Sequence, residues 1–337
     1  MLADWRSHGL DLSAGALTGG LQHLLPLLEP VYDALVERSR QQVLWHADET
    51  RWLVFQSVEG KVGYHWYLWV FHADEVVVFV LATGRSHEAP EKHFGPVEGG
   101  ILVVDRYVAC PAIDKVKAGL ITLALCWAHQ RRDFVELGRS WPQHRDWALA
   151  WLTRIRGLYR LNNRRLQLRE DSEAFEQRDR DLRAAVETMA TQAEAERQDP
   201  TLHPARRQVL EGMAGYWPGL TVFVEHPEVP MDNNQAERAE RGPVVGRKNY
   251  YGSGAVWAGR LAAMLFSLFA TLERWQVNVR AWLTWYLTAC AEAGGKVPAD
   301  VAGYLPWHLS AAQRERLQTT GSGPVGGVGE ECRHDTS

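Results

Sequence analysis

Cysteine is scarce: four in 337 residues, at 110, 126, 290 and 332, with no Cys-x-x-Cys pair among them. This excludes a disulfide framework and points to a reducing compartment, the cytoplasm. Long hydrophobic runs are also missing. The most apolar stretch, LAAMLFSLFATL at 261–272, falls short of the roughly 20 residues of a membrane span and reads as a buried helix. The first residues, MLADWRSHGLDLS, have no basic region followed by an apolar core, so no export signal is read. No internal repeat is found. Neither charge sign dominates, since 37 Lys and Arg face 41 Asp and Glu for a net charge of −4. That balance argues mildly against a nucleic-acid binder, although it hides local cationic clusters and local fields rather than the mean govern binding. Tryptophan, by contrast, is plentiful, with 15 residues in a chain that is 46% hydrophobic. Such a chain folds around a large core with heavy aromatic packing.

The texture changes along the chain. Residues 1–42 carry apolar positions at helical spacing in LQHLLPLLEPVYDALVERS. VLWHADETRWLVFQSVEG and GYHWYLWVFHADEVVVFVLATG are rich in β-branched and aromatic residues, and they break at Glu59-Gly60 and at HADE (72–75). They predict three strands in an antiparallel meander. GGILVVDRY at 99–107 predicts a fourth strand ending at Asp105, PAIDKVKAG a short helix, and LITLALCWAHQRR the start of a fifth strand. From 133 to about 215 the pattern is helical and amphipathic. After Pro227 and Pro230 come a short helix with Glu237, apolar helices at 258–273 and 275–293, and a Gly-rich tail at 321–329 that reads as disordered.

This order, β-β-β-α-β-α-β, then helices, then a helix bearing an acid, is that of an α/β ribonuclease-H-like fold. A mixed sheet is flanked by helices, with a helical insertion before the last catalytic helix. Acids on the first strand, at the end of the fourth and on a later helix converge at one sheet edge in that architecture. Asp48, Asp105 and Glu237 occupy those places. Three carboxylates at one point repel unless cations join them, and hard divalent ions suit such ligands. A pair of Mg²⁺ or Mn²⁺ ions can drive phosphodiester cleavage or transfer.

The segment VPMDNNQAERAERGPVVGRKNYYGSG, 229–254, surrounds Glu237 with amides and cations. Asp232 reads as the helix N-cap with Gln235 completing a capping box, and Gly242-Pro243 as the stop. Asn233, Asn234, Glu237 and Arg241 then share one face, and Arg238 stands beside Glu237. In the loop expected to follow, Arg247, Lys248 and Asn249 suit phosphates, and Tyr250 and Tyr251 suit stacking. In CWAHQRRDF (126–134), His129, Arg131 and Arg132 suit a phosphate at a strand end. Cys126 and His129 have Cys-x-x-His spacing without a second ligand pair, so zinc is not expected there. The bland alternatives are a salt-bridged helix, a basic loop and exposed basic residues at a helix start.

HADET at 46–50, TGRSHEAPEKHFGPVEGGILVVDRY at 83–107, CWAHQRRDF and MDNNQAERAERGPVVGRKNYYGSG together resemble the IS66-type DDE transposases, and YLPWHL (304–309) continues the likeness weakly. The resemblance assigns Asp48, Asp105 and Glu237 as the catalytic, metal-holding triad. It implies Mg²⁺-dependent cleavage and transfer of DNA strands, with transposon ends and target DNA as partners. It further implies a homo-oligomer on DNA, accessory proteins of the element, and no membrane. Arg106 stands where such sequences usually carry Gly. The organisation read from the resemblance is a helical segment 1–42 (the remnant of a helix-turn-helix region), a catalytic core at 43–132 and 229–293, a helical insertion at 133–228, and a C-terminal segment 294–337. Set against this family, the chain is expected to be N-terminally shortened, lacking the zinc-binding element and binding DNA without sequence preference. Two alternatives stand beside an active core: a catalytically inactive or regulatory copy that binds DNA or a full-length partner, and a carboxylate-pair glycosidase using tryptophan platforms.

Overall fold

The computed structural model describes residues 6–106 and 110–319. In chain order the elements are α1 (Ala14–Gln22), α2 (Leu24–Arg40), β1 (Leu44–Leu53), β2 (His65–Ala73), β3 (Val77–Ala82), α3 (Glu88–Phe94), β4 (Gly100–Val104), α4 (Asp114–Lys117) and β5 (Ile121–Leu125). They continue with α5 (Trp127–Ser140), α6 (Arg145–Gln167), α7 (Ser172–Gln198), α8 (Pro204–Leu220), α9 (Val222–Glu225), α10 (Asn234–Tyr250), α11 (Val256–Arg274), α12 (Val279–Glu292) and α13 (Ala311–Thr319). The chain divides into two compact units, Leu35–Ser267 and Met1–Ala34 with Leu268–Ser337, so the boundaries fall inside α2 and α11.

The larger unit is built on a five-stranded mixed sheet in the order β3-β2-β1-β4-β5. β1, β2 and β3 form the expected antiparallel meander, and β4 and β5 run parallel to β1. Each strand presents alternate residues to opposite faces. On one face Trp45 and Phe71 meet Phe94 of α3, with ring centroids 5.3 and 5.2 Å apart. On the other, Trp52 and Phe79 pack on Phe266 of α11 at 6.0 and 5.8 Å, and Ser267 Oγ accepts the Phe79 N–H at 2.7 Å. Both faces are therefore covered, which explains the nearly unbroken apolar character of β2, β3 and β4.

Helices α5 to α9 form a second layer of packing within this unit. Phe134, Trp151, Ile155, Leu158, Leu182, Leu210 and Met213 are buried in one cluster. Arg165 is fully buried there, and its charge is compensated by Asp179 at 2.5 Å, by Asn162 Oδ1 at 2.8 Å, and by the carbonyls of Phe223 (2.7 Å) and Val224 (3.0 Å). A buried guanidinium is tolerated only with such compensation at its two terminal nitrogens.

In the smaller unit, Trp282 and Tyr286 of α12 stack at 5.0 Å. Their polar tips are satisfied by the carbonyls of Tyr304 (2.8 Å) and Leu27 (2.6 Å).

Three local expectations are corrected. Asp232 is not the N-cap: α10 is capped at Asn233, and Asp232 Oδ1 accepts the Asn234 N–H at 3.3 Å in a turn preceding it. Gly242-Pro243 does not stop the helix, which runs on to Tyr250 with Pro243 inside it. Pro243 is buried inside the helix, where its ring nitrogen forgoes one helical hydrogen bond. Arg247, Lys248 and Asn249 consequently lie on the last helical turn rather than in a loop, and Tyr251 ends it in the left-handed region with φ 64°. The third correction concerns the apolar run at 261–272. It belongs to α11, a helix of 19 residues, long and apolar enough by composition to cross a membrane. The sheet contacts of Phe266 and Ser267 identify it as a core helix. The tail read as disordered lies outside the described residues.

Candidate active site

The site begins with strand register. β1 and β4 pair in parallel with Leu44 opposite Ile101, Trp45 opposite Leu102 and His46 opposite Val103. Continued by two residues, the same offset sets Asp48 opposite Asp105, which immediately follows β4. Opposed residues on parallel strands face the same side at a strand separation of about 4.8 Å. The register so extended puts Asp48 and Asp105 on one face of neighbouring strands, the face that also carries His46, Thr50 and Trp52, and the Asp48 carboxyl feels the Asp105 charge.

Helix α10 runs along β1 over this face and is fastened at both ends. At its start Asn233 is 1% exposed. Its Nδ2 donates to the Ala47 carbonyl (2.8 Å), its Oδ1 pairs with His46 Nδ1 (3.1 Å), and its N–H donates to Cys126 Sγ (3.3 Å). Beyond its end, the Ser253 N–H donates to Leu53 O (2.8 Å), and Ser253 Oγ accepts from Trp52 Nε1 (3.0 Å). A side chain at Gly252 would place its Cβ 2.2 Å from Leu53 O, so this closure requires glycine. Between the fastenings the rises match. Four helical residues from Asn233 to Glu237 climb about 6 Å, and two strand residues from His46 to Asp48 climb about 7 Å. Glu237 is carried to the level of Asp48.

The electrostatics agree with this geometry. The Asp48 carboxyl is pushed up to about 6, chiefly by burial and further by the charges of Asp105 and Glu237, against the Glu49 N–H that it accepts at 2.9 Å and the charge of Arg85. Glu49, on the opposite face, is pushed up to about 7 by burial although Arg85 pairs with it. Glu240, one turn beyond Glu237, is pushed up to about 9 by burial and then by the charges of Asp48 and Glu49. It is 8% exposed, and its Oε1 has no hydrogen-bond partner. Glu240 went unremarked in the sequence, yet its position three residues after Glu237 placed it on the same helical face.

Helix α5 supplies the remaining wall. Its N-terminus is anchored by the Trp127 N–H to Met231 O at 2.9 Å and by Trp127 Nε1 to Leu220 O at 2.6 Å. Arg106, next to Asp105, grips this helix. It forks onto Asp133, with Nη2 to Oδ1 at 2.7 Å, donates to the His129 carbonyl at 3.0 Å and lies over the Tyr216 ring at 5.2 Å. Its guanidinium is held above its ordinary range, first by Asp133. Burial, with Arg132 nearby, lowers the His129 imidazole. Burial raises the Cys126 thiol, against the pull of the Asn233, His129 and Ala128 amides.

Of the residues expected to face DNA, Arg131, Arg132, Arg238, Arg241, Lys248 and Asn249 are exposed, and His129 and Asn234 are half-buried. Two differ from expectation. Asn233 has its amide consumed by β1 and positions α10 instead of meeting a phosphate. Arg247 donates to Thr50 Oγ1 at 2.9 Å and to the Arg51 carbonyl, and so braces the helix against the strand.

Residues 1–261 match the family model described as Transposase IS66 family. Among curated proteins, the chain is similar to three uncharacterised proteins of Sinorhizobium fredii (strain NBRC 101917 / NGR234). It is 25% identical to y4hP, covering 86% of this chain and 55% of that one. It is 27% identical to y4qI (89% and 57%) and 26% identical to y4jD (91% and 61%). The chain therefore spans a little over half the length of these relatives. No solved structure matches.

Proposed function

Because the chain belongs to the IS66 family of transposases, we propose that it is a DDE-type catalytic core that cleaves and transfers DNA strands, with Asp48, Asp105 and Glu237 as its acids. What supports this reading is the β1–β4 register, whose extension by two residues pairs Asp48 with Asp105, together with the charges of Asp105 and Glu237 felt at Asp48. The sheet order β3-β2-β1-β4-β5, with only β2 antiparallel to its neighbours, supports a ribonuclease-H-like architecture. The helices between β5 and α10 correspond to an insertion.

The donor set fits a hard divalent ion: three carboxylates, one of which, Asp48, has a proton affinity raised chiefly by burial and further by the charges of the other two. Asp48, Asp105 and Glu237 would hold Mg²⁺ or Mn²⁺, two ions, whose chemistry when bound is activation of the attacking oxygen and stabilisation of the leaving one. The protein's own groups do the rest. The Glu49 N–H fixes one oxygen of Asp48 and leaves the other for a ligand. Glu240 carries a proton at neutral pH and adds no further negative charge to the site. Arg131, Arg132, Arg238, Arg241 and Lys248 supply exposed cations for the DNA backbone, a contact that confers affinity without sequence information. Tyr250 and Tyr251, both exposed, offer rings for an unpaired base. Joining two transposon ends to a target calls for more than one copy on DNA, in the cytoplasm where that DNA resides.

The test is nicking and strand transfer on supercoiled DNA with Mg²⁺ or Mn²⁺. Wild-type protein is expected to act and Asp105→Asn to be inert while still folded. Equal activity of the two would remove Asp105 from the chemistry.

A further inference from the structure

Cys126 and His129 looked like an incomplete ligand pair in the sequence, and the fold supplies a third donor. The Cys126 sulfur, a His129 ring nitrogen and a Glu237 carboxylate oxygen all lie within 4.8 Å of one another. Cys126 caps α5 and His129 is its third residue, the N-cap and N3 positions whose side chains turn toward each other in a capping box. Three further features prepare these donors. The sulfur already accepts the Asn233 N–H at 3.3 Å, which fixes its position at the start of α5. His129 Nδ1 is enclosed and has no hydrogen-bond partner. The Arg106 guanidinium, held by Asp133, fixes the His129 carbonyl and with it the first turn of α5.

We propose that Cys126, His129 and Glu237 form a site for a borderline divalent transition ion, foremost Zn²⁺, and that its occupancy withdraws Glu237 from the acidic centre and switches the enzyme off. The ion-binding part stands on the three donors alone; the switching part rests on the catalytic reading above. Mg²⁺ does not compete for this site, because it prefers oxygen ligands to sulfur and imidazole. In a tetrahedral zinc site the ligand atoms stand roughly 3.3–3.8 Å apart, from bond lengths of about 2.0–2.3 Å. Closing the present triangle takes side-chain shifts of about 1 Å. Binding forms one metal–sulfur, one metal–nitrogen and one metal–oxygen bond. The Cys126 thiol proton passes to water, and water completes the fourth position. Glu237 thereby stands between a hard centre with Asp48 and Asp105 and a soft centre with Cys126 and His129, and one carboxylate cannot serve both fully.

Cobalt(II) is the probe, since its thiolate charge-transfer band and tetrahedral visible bands report the ligands directly. Titrated into the reduced full chain, Co²⁺ is expected to give both bands at about one ion per chain, and Zn²⁺ to abolish them. Cys126→Ser should lose the thiolate band, and His129→Ala should weaken Co²⁺ binding at least tenfold, while Asp105→Asn keeps the bands. Should Cys126→Ser fail to fold, His129→Ala at its half-buried position decides. Absence of a thiolate band in the wild type, or its survival at unchanged affinity in His129→Ala, overturns the site. In the second arm Zn²⁺ is added to Mg²⁺-dependent nicking, each protein being compared with its own zinc-free rate. Inhibition of the wild type, with at least tenfold more zinc needed for Cys126→Ser, supports the switch, and equal inhibition of both overturns it. If the wild type nicks nothing, the catalytic reading and the switch fall together while the cobalt arm still decides the site.

Discussion

Replacing Glu240 by Gln should stabilise the metal-free protein at neutral pH and leave its stability in acid unchanged. In the folded chain this carboxyl titrates at about 9, against 4.5 when unfolded. Between those values the folded state holds a proton that the unfolded state has released, so rising pH favours unfolding through this group. At pH 7 the interval above 4.5 corresponds to about 3 kcal/mol, at 1.36 kcal/mol per unit. Gln is neutral in both states and removes that cost, and its amide matches the shape of the protonated acid. Below pH 4.5 both states of the wild type are protonated, and the difference between the two proteins closes. Urea unfolding at pH 4, 5.5, 7 and 8.5 without divalent ions measures it. The gap should widen from under about 0.5 kcal/mol at pH 4 to about 3 kcal/mol at pH 7. A variant less stable than the wild type at pH 7, or a gap independent of pH, would refute the assignment of a buried neutral acid.

Other substitutions probe the frame of the site. Asp48→Asn should stabilise the metal-free protein above pH 6, because a folded value of about 6 against 3.8 costs up to about 3 kcal/mol once the group ionises; the benefit should fade between pH 6 and 3.8 in a pH series of melts. Asn233→Ala removes buried bonds to Ala47 and His46 and should cost about 2–4 kcal/mol in urea while lowering any nicking rate. Lys248→Ala should weaken DNA binding equally for all sequences and reduce the salt slope by about one ion, whereas Arg247→Ala should also lower the melting temperature, since Arg247 braces β1. Arg106→Gly should destabilise the fold by about 1–3 kcal/mol through the orphaned Asp133.

The strands were legible because β-branched and aromatic runs broke cleanly at turn residues, and Asp105 could be found because it ends an apolar strand. The offset between Asp48 and Asp105 gained meaning only with the register, which a sequence does not print. Helix α10 was misjudged for a physical reason: Pro243 and Gly242 are local stop signals, but burial of the proline and the clasp at Gly252 and Ser253 carry the helix to Tyr250. Asn233 was read as phosphate-facing since nothing local shows that its partners, His46 and Ala47, lie nearly two hundred residues away in the chain. Glu240 was legible in principle from its spacing to Glu237. Glu237 as a third donor to Cys126 and His129 was not, because only the meeting of the starts of α10 and α5 brings them together.

Manganese binding tests the central claim most directly, since it asks whether the three acids form one ion centre before any DNA is cut. In an electron paramagnetic resonance titration at pH 7.5, the six-line signal of free Mn²⁺ should be suppressed by the wild-type chain, up to two ions each. Asp105→Asn and Glu237→Gln should each weaken that uptake at least tenfold while melting as cooperatively as the wild type. Undiminished Mn²⁺ uptake in both variants would show that Asp48, Asp105 and Glu237 do not share an ion, and would contradict the account.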